Sequence, residues 1–158
     1  MRADSIIQAL AGTYMLLNTS TTLNGVPVPD EAYGSNPSGQ LIYTASGFMS
    51  ATITSTDPED RPENLTFPPA EGQSDADWAN VAKHALCYAG PFSINPAVPL
   101  TETSGGVFHG PLTVAHVPSW VGRQQERNFT TYENGTLLLI SSRRDGGNEG
   151  RLWWKRID

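Results

Sequence analysis

Alternation along the segment 123–131 places two polar residues beside a large apolar one. Successive side chains of an extended strand point to opposite sides, so Gln125, Arg127 and Phe129 share one face. Phe129 indicates that this face points inward. A guanidinium in an apolar interior needs a negatively charged partner. We therefore expect Arg127 either to hold a ligand anion, such as a carboxylate, enolate or phenolate, or to form a structural ion pair with Asp or Glu.

The preceding segment carries a histidine, a side chain that titrates near neutral pH. Leu112 and Val114 share a face with His116, and an inward position of that face would make His116 a candidate general acid or base. A hydrogen-bonded histidine at the rim of the fold is the alternative. Pro111 can introduce a bulge that shifts the register, in which case His109 becomes the inward histidine.

The candidate set also includes two tyrosines, Tyr43 and Tyr88, together with Met49 and Trp120. Each phenol is able to donate a proton or hold a ligand oxygen, the alternative being a core tyrosine with a satisfied hydroxyl. The tryptophan, between a proline and a glycine, suits either contact with an apolar ligand at an opening or structural packing. The predicted catalytic residues are thus Arg127, His116 and Tyr88, and the predicted ligand-binding residues are Tyr43, Met49, Trp120, Gln125, Phe129 and His109.

Short strands joined by tight turns are expected to position these residues. Asn24-Gly25 and the segments 133–135 and 145–147 are typical turn sequences. Residues 3–10 fit one or two helical turns, and 55–75 form a long loop. We predict an all-β fold, an eight-stranded antiparallel up-and-down barrel with one helix between strands, whose lumen fits side chains or one small ligand. The predicted strands are 12–17, 41–44, 48–54, 88–94, 107–117, 123–132, 136–142 and 152–157.

One segment has the spacing of a helix. Ser74 or Asp75 is a suitable N-cap, and the helix is predicted over 75–86. Its apolar residues recur at helical spacing and are expected to face the core. They are Trp78, Val81, Ala82, Ala85 and Leu86.

Length and composition limit the possible functions. The 158 residues suit a single domain, 1–158, and a net charge of −6 without a basic run argues against nucleic-acid and membrane partners. No stretch reaches the roughly 18 apolar residues of a membrane helix. Cys87 is the single cysteine, and no signal pattern precedes it, which predicts a cytoplasmic location. Neither a metal-ligand cluster nor a Gly-rich phosphate loop occurs, so no metal and no cofactor are expected.

Five segments, in their order and spacing, resemble the bacterial and fungal lipocalin-like domain family of the calycin group: AGTYMLL (11–17), YGSNPSGQLIYTASGFMSATI (33–53), DADWANVAKHALCYAGPF (75–92), VPSWVGRQQERNF (117–129) and GRLWWKRI (150–157). The resemblance implies an eight-stranded barrel with a ligand cavity. It also implies that Tyr14, where the family usually has Trp, stacks under Arg156 in a cation–π contact. The acidic loop after Thr54 departs from the family pattern.

The resemblance also suggests functions, because some family members lie in natural-product gene clusters. We expect a cofactor-free enzyme of cyclase, isomerase or dehydratase type that acts on a hydrophobic small molecule, a secondary-metabolite intermediate. A non-catalytic carrier of a small apolar ligand is the alternative. An α+β cone, another fold of small cyclases, ranks last because it needs several N-terminal helices.

Overall fold

The computed structural model of the protein describes residues 2–143 and 145–158, with Asp145 described by its backbone alone. The helices are α1 (Ala3–Leu10) and α2 (Asp75–Lys83). The strands are β1 (Gly12–Leu23), β2 (Val26–Val28), β3 (Ser38–Tyr43), β4 (Phe48–Thr54), β5 (Ala85–Asn95), β6 (Ser104–His109), β7 (Val114–Ala115), β8 (Gln125–Tyr132), β9 (Leu137–Arg143) and β10 (Asn148–Arg156). Short 3-10 turns cover Pro58–Asp60, Pro118–Trp120, Glu133–Gly135 and Asp145–Gly147.

Eight of these strands close a barrel. Their order is β10-β9-β8-β6-β5-β4-β3-β1, and β1 pairs with β10 to complete the circle. Every pairing around this circle is antiparallel, so the predicted eight-stranded antiparallel barrel with a helix between strands is confirmed. The short strand β2 forms a hairpin with β1, and β7 pairs with β5. Closure leaves the eight main strands without a free edge.

The helix α1 packs where β1 begins and β10 ends, and it buries Ile6 and Leu10 against the core. The Tyr14 hydroxyl donates to the Leu10 carbonyl at 2.9 Å. Arg156 donates to the Tyr14 hydroxyl at 2.6 Å and to the Ala9 carbonyl at 2.7 Å. Its guanidinium carbon lies 5.1 Å from the centre of the Tyr14 ring, which confirms the cation–π contact implied by the family resemblance.

The helix α2 is shorter than predicted. Ser74 caps it by accepting a hydrogen bond from the Asp77 amide, but the helix ends at Lys83. Ala85 and Leu86 instead begin β5 and pair with β4, because the sheet provides partners for their backbone groups. Neither helix that the structure describes is long and apolar enough to cross a membrane.

The prediction that α2 faces the core is wrong. No residue of α2 is buried, and Ala82 and Lys83 are exposed although they line the central cavity. The helix therefore covers the rim of a hollow barrel instead of packing on filled core. Its moderate amphipathic pattern reflects half-buried positions such as Trp78 and Val81.

The predicted strand 107–117 is interrupted. Leu112 is 2% exposed and Val114 is 58% exposed, so the common inward face that would make His116 a candidate acid or base does not form, and the register shift considered at Pro111 occurs. Pro111 has no N–H to pair, and the Leu112 amide donates to the Arg123 carbonyl at 2.9 Å instead of continuing β6. The chain resumes as a strand only at Val114, in a new register with β5.

Candidate functional site

A cavity of about 570 Å³ occupies the interior of the barrel, a size within the usual range of small-molecule sites. Apolar side chains from five of the barrel strands form much of its wall. Residues at the end of α2 and in the 3-10 turn Pro118–Trp120 lie at its rim. The apolar wall includes Leu41, Ala51, Ile53, Leu86, Ile140 and Leu152.

Six of the nine predicted site residues line this cavity, and three do not. Tyr43, Met49 and Phe129 belong to the packed core, with exposed fractions of 2–3%. Phe129 pairs with Gly105 and follows the cavity-lining residues of β8 along the strand. It lines a separate depression beside α1. The six that line the cavity are Arg127, His116, Tyr88, Trp120, Gln125 and His109.

A buried hydrogen-bonded chain connects the core to the cavity. The Tyr43 hydroxyl lies 2.6 Å from His109 Nε2, and the Tyr88 hydroxyl lies 3.1 Å from His109 Nδ1. Strands β3, β5 and β6 each contribute one member, and closure of the barrel brings the three together. Tyr43 is outside the cavity lining, whereas His109 and Tyr88 are part of it. This series of hydrogen bonds therefore ends at the cavity, with the phenol of Tyr88.

Electrostatics keep His109 neutral. Burial lowers its pKa well below the ordinary value, and the positive charge of Arg127 adds to that effect. Burial likewise raises the pKa of Tyr43 well above its usual range, so this phenol keeps its proton.

The network assigns the histidine tautomer. We infer that the Tyr43 hydroxyl donates and that Nε2 carries no proton, because Tyr43 is buried and His109 Nε2 is the hydrogen-bond partner of its hydroxyl among the described residues. A neutral imidazole then has its proton on Nδ1, which donates to the Tyr88 oxygen. The hydroxyl hydrogen of Tyr88 then has no acceptor among the described residues and can point at a ligand.

Arg127 is half-buried in the cavity wall, as the alternation in β8 predicts. Its Nη1 donates to the Glu126 carbonyl at 2.7 Å, and its guanidinium carbon lies 6.0 Å from the Trp120 ring centre. Trp120 in turn contacts the Tyr88 ring edge-on at 5.6 Å. Among the side chains that the structure describes, no carboxylate lies within 4.0 Å of Arg127. The structural ion pair considered as an alternative is therefore absent from that part of the chain.

His116 also lines the cavity, but the backbone engages both of its ring nitrogens. Nδ1 accepts from the Cys87 amide at 3.2 Å, and Nε2 lies 3.2 Å from the Ala82 carbonyl. Because Nδ1 accepts a hydrogen bond, Nε2 is the nitrogen that donates to the Ala82 carbonyl. His116 thus ties the end of α2 to β5, which matches the alternative interpretation of a hydrogen-bonded rim histidine.

Sequence reasoning missed one inward polar group and two cations of the site. Trp154 is 2% exposed and lines the cavity, and its indole Nε1 has no hydrogen-bond partner in the described parts of the chain. Lys83 and Arg143 line the same cavity with exposed side chains. Alternation along β10 places Trp154 inward, but it does not distinguish a cavity wall from filled core.

Comparison with known proteins identifies the family of this chain. The sequence profile of the lipocalin-like domain family matches residues 11–157. The chain belongs to the lipocalin-like domain family. Among solved structures, this lipocalin-like barrel is similar to a redesigned β-barrel at 13% identity and a TM-score of 0.41, over 99% of this chain and 96% of the other. No curated protein matches it.

Proposed function

We propose that this lipocalin-like barrel is a cofactor-free enzyme of cyclase or isomerase type, acting on a hydrophobic small molecule such as a secondary-metabolite intermediate. Family membership and the cavity indicate small-molecule binding. The observation that carries the catalytic proposal is the hydrogen-bonded series Tyr43–His109–Tyr88, whose last member lines the cavity. The cytoplasmic location stays a prediction.

Tyr88 would act as the electrophilic group. Its hydroxyl hydrogen is available to a carbonyl oxygen of the substrate, and donation from His109 Nδ1 to the Tyr88 oxygen increases the polarity of that O–H bond. Negative charge that develops on the substrate oxygen is stabilised by this hydrogen bond and by the positive potential of Arg127. A bound substrate displaces water from the cavity, which strengthens both effects.

The reaction that fits this site conserves every atom of the substrate. The electron pair of the new bond comes from a double bond or lone pair of the substrate, and a conjugated carbonyl takes up charge on oxygen as that bond forms. The electron pair then returns from the carbonyl oxygen to a carbon of the substrate. Any proton released by the attacking group adds to that carbon. The product is therefore an isomer. Confinement of a flexible substrate in a reactive conformer lowers the entropic part of the barrier.

The lining favours cyclisation, or an isomerisation in which no proton leaves carbon, over dehydration. Dehydration usually begins with removal of a proton from carbon and needs a base. No carboxylate lines the cavity in the part of the chain that the structure describes, His109 resists protonation, and His116 is held by backbone groups. The same lack of a base is the observation that favours the second candidate, a carrier that binds its ligand without changing it.

The Tyr88→Phe variant distinguishes an enzyme from a carrier. Extract of the producing cells would be incubated with wild type or variant, and bound and released compounds identified by native and liquid-chromatography mass spectrometry. We expect wild type to convert one bound compound into an isomer of equal mass, and Tyr88→Phe to bind it but convert it about 10²-fold more slowly. Tyr132→Phe, a change on the outer wall, is the matched control and should act as wild type does. A ligand recovered unchanged from wild type would establish the carrier instead.

A further inference from the structure

We infer that the ligand of the barrel is an anion, an apolar body bearing a carboxylate or another stable oxyanion, and that Arg127 is the residue that selects it. The inference rests on the proposed function of the cavity as a small-molecule site and narrows the class of molecule that enters it. Three features of the cavity carry it.

The first is the distribution of charge. The chain has 16 acidic and 10 basic residues, so a random sample of its charges would be mostly negative. The cavity wall shows the opposite sign, because Lys83, Arg127 and Arg143 line it and no Asp or Glu of the described residues does. A cavity of one sign with low-dielectric walls concentrates ligands of the opposite charge.

The second feature is that few protein groups compensate the positive charge of Arg127. A half-buried guanidinium requires more than one carbonyl; among the described residues, Arg127 donates to the Glu126 carbonyl and lies 6.0 Å from the Trp120 ring centre. Its charge already reaches the deeper groups, since it contributes to the lowered pKa of His109. A neutral ligand would displace water from this guanidinium without replacing the lost solvation, whereas an anion would neutralise it.

The third is the kind of hydrogen-bonding group that the wall presents. Lys83, Arg127, Arg143, Trp120 and Trp154 are side chains that donate and do not accept. Of these, Trp154 is almost fully buried, and its Nε1–H has no partner among the described residues. No described side chain of the wall is an obligate acceptor, so the wall is complementary to ligand oxygens.

Two dyes that differ by one charged group test the inference. The probes are 1-anilinonaphthalene-8-sulfonate, an anion, and N-phenyl-1-naphthylamine, which has the same apolar body without the sulfonate. Both become fluorescent in apolar sites, so their Kd values are measured in the same way. Shifts of the His109 ring signals by NMR establish that a dye occupies the cavity.

Wild type is expected to bind the sulfonate about tenfold more tightly than the neutral dye, and Arg127→Gln to abolish that preference. The neutral dye should keep its affinity within about twofold, and Arg127→Lys should restore part of the preference through its charge. Arg151→Gln is the matched control, because Arg151 is exposed and paired with Glu149 away from the cavity. Thermal melting of each variant verifies the fold.

Equal affinity of wild type for the two dyes, or a preference that survives in Arg127→Gln, would overturn the inference while leaving the proposed function intact. Failure of both dyes to shift the His109 signals would mean that the cavity does not admit an apolar ligand. That result would overturn the proposed function together with the inference.

Discussion

Lowering the pH from about 6.5 to about 5 is expected to destabilise the folded barrel through His109. Tyr43, Tyr88 and Arg127 surround this imidazole, and burial together with the charge of Arg127 lowers its pKa well below the ordinary value. The unfolded chain therefore binds a proton that the folded chain rejects. The stabilising contribution is present above the unfolded pKa and is lost as the pH falls toward the folded pKa.

The magnitude follows from linkage. Each pH unit below the unfolded pKa costs about 1.4 kcal/mol for as long as His109 stays neutral in the folded state. Over about 1.5 units the largest loss is about 2 kcal/mol, which corresponds to a decrease in Tm of about 4–8 °C for a chain of this size. Asp57 and Asp158, whose carboxyl pKa values are lowered by hydrogen bonds, lose their stabilising charge at lower pH than this window.

Urea unfolding at a series of pH values, followed by tryptophan fluorescence, measures this loss. His109→Gln keeps a polar side chain but has no titrating group, so its free energy of unfolding should lack most of the decrease. His84→Gln is the matched control, because His84 lies near Asp60 outside the cavity, and that variant should still lose stability as the pH falls. An equal loss in wild type and His109→Gln would refute the argument that the imidazole is held neutral.

Other substitutions test the remaining contacts. Tyr43→Phe removes the donor to His109 Nε2 without altering the cavity wall; we expect a loss of about 1–3 kcal/mol of stability and slower isomer formation at unchanged ligand Kd. Arg156→Met removes the bonds to Ala9 and Tyr14, and urea unfolding should show a loss of about 1–3 kcal/mol with ligand binding retained. His116→Ala should lower Tm yet leave turnover within about threefold; a loss as large as that of a general acid, about 10²-fold, would restore His116 as a catalytic residue.

Much of the barrel was predictable because local rules determine it. Alternation in β8 placed Arg127 inward, since Phe129 on the same face had to be buried. The turn at Asn24-Gly25 has the positive φ angles, 50° and 82°, that such a sequence predicts. Both signals depend on neighbours in the chain and not on the closure of the barrel.

The site was less predictable because it depends on contacts between distant strands. The Tyr43–His109–Tyr88 chain joins β3, β5 and β6, and only the register of the closed barrel brings these residues within hydrogen-bond distance. Pro111 broke the alternation on which the inward position of His116 was argued. The helix α2 was misplaced because an apolar stripe does not reveal whether it faces packed core or a hollow interior.

The ¹⁵N NMR spectrum of the His109 ring tests the central claim most directly. Two further histidines, His84 and His116, are present, so single substitutions assign the signals. We predict a proton on Nδ1, none on Nε2, and no change between about pH 7 and about pH 5. A protonated Nε2, or an imidazolium in that pH range, would contradict it, because the Tyr88 hydroxyl hydrogen would then be directed at His109 or the ring would be charged.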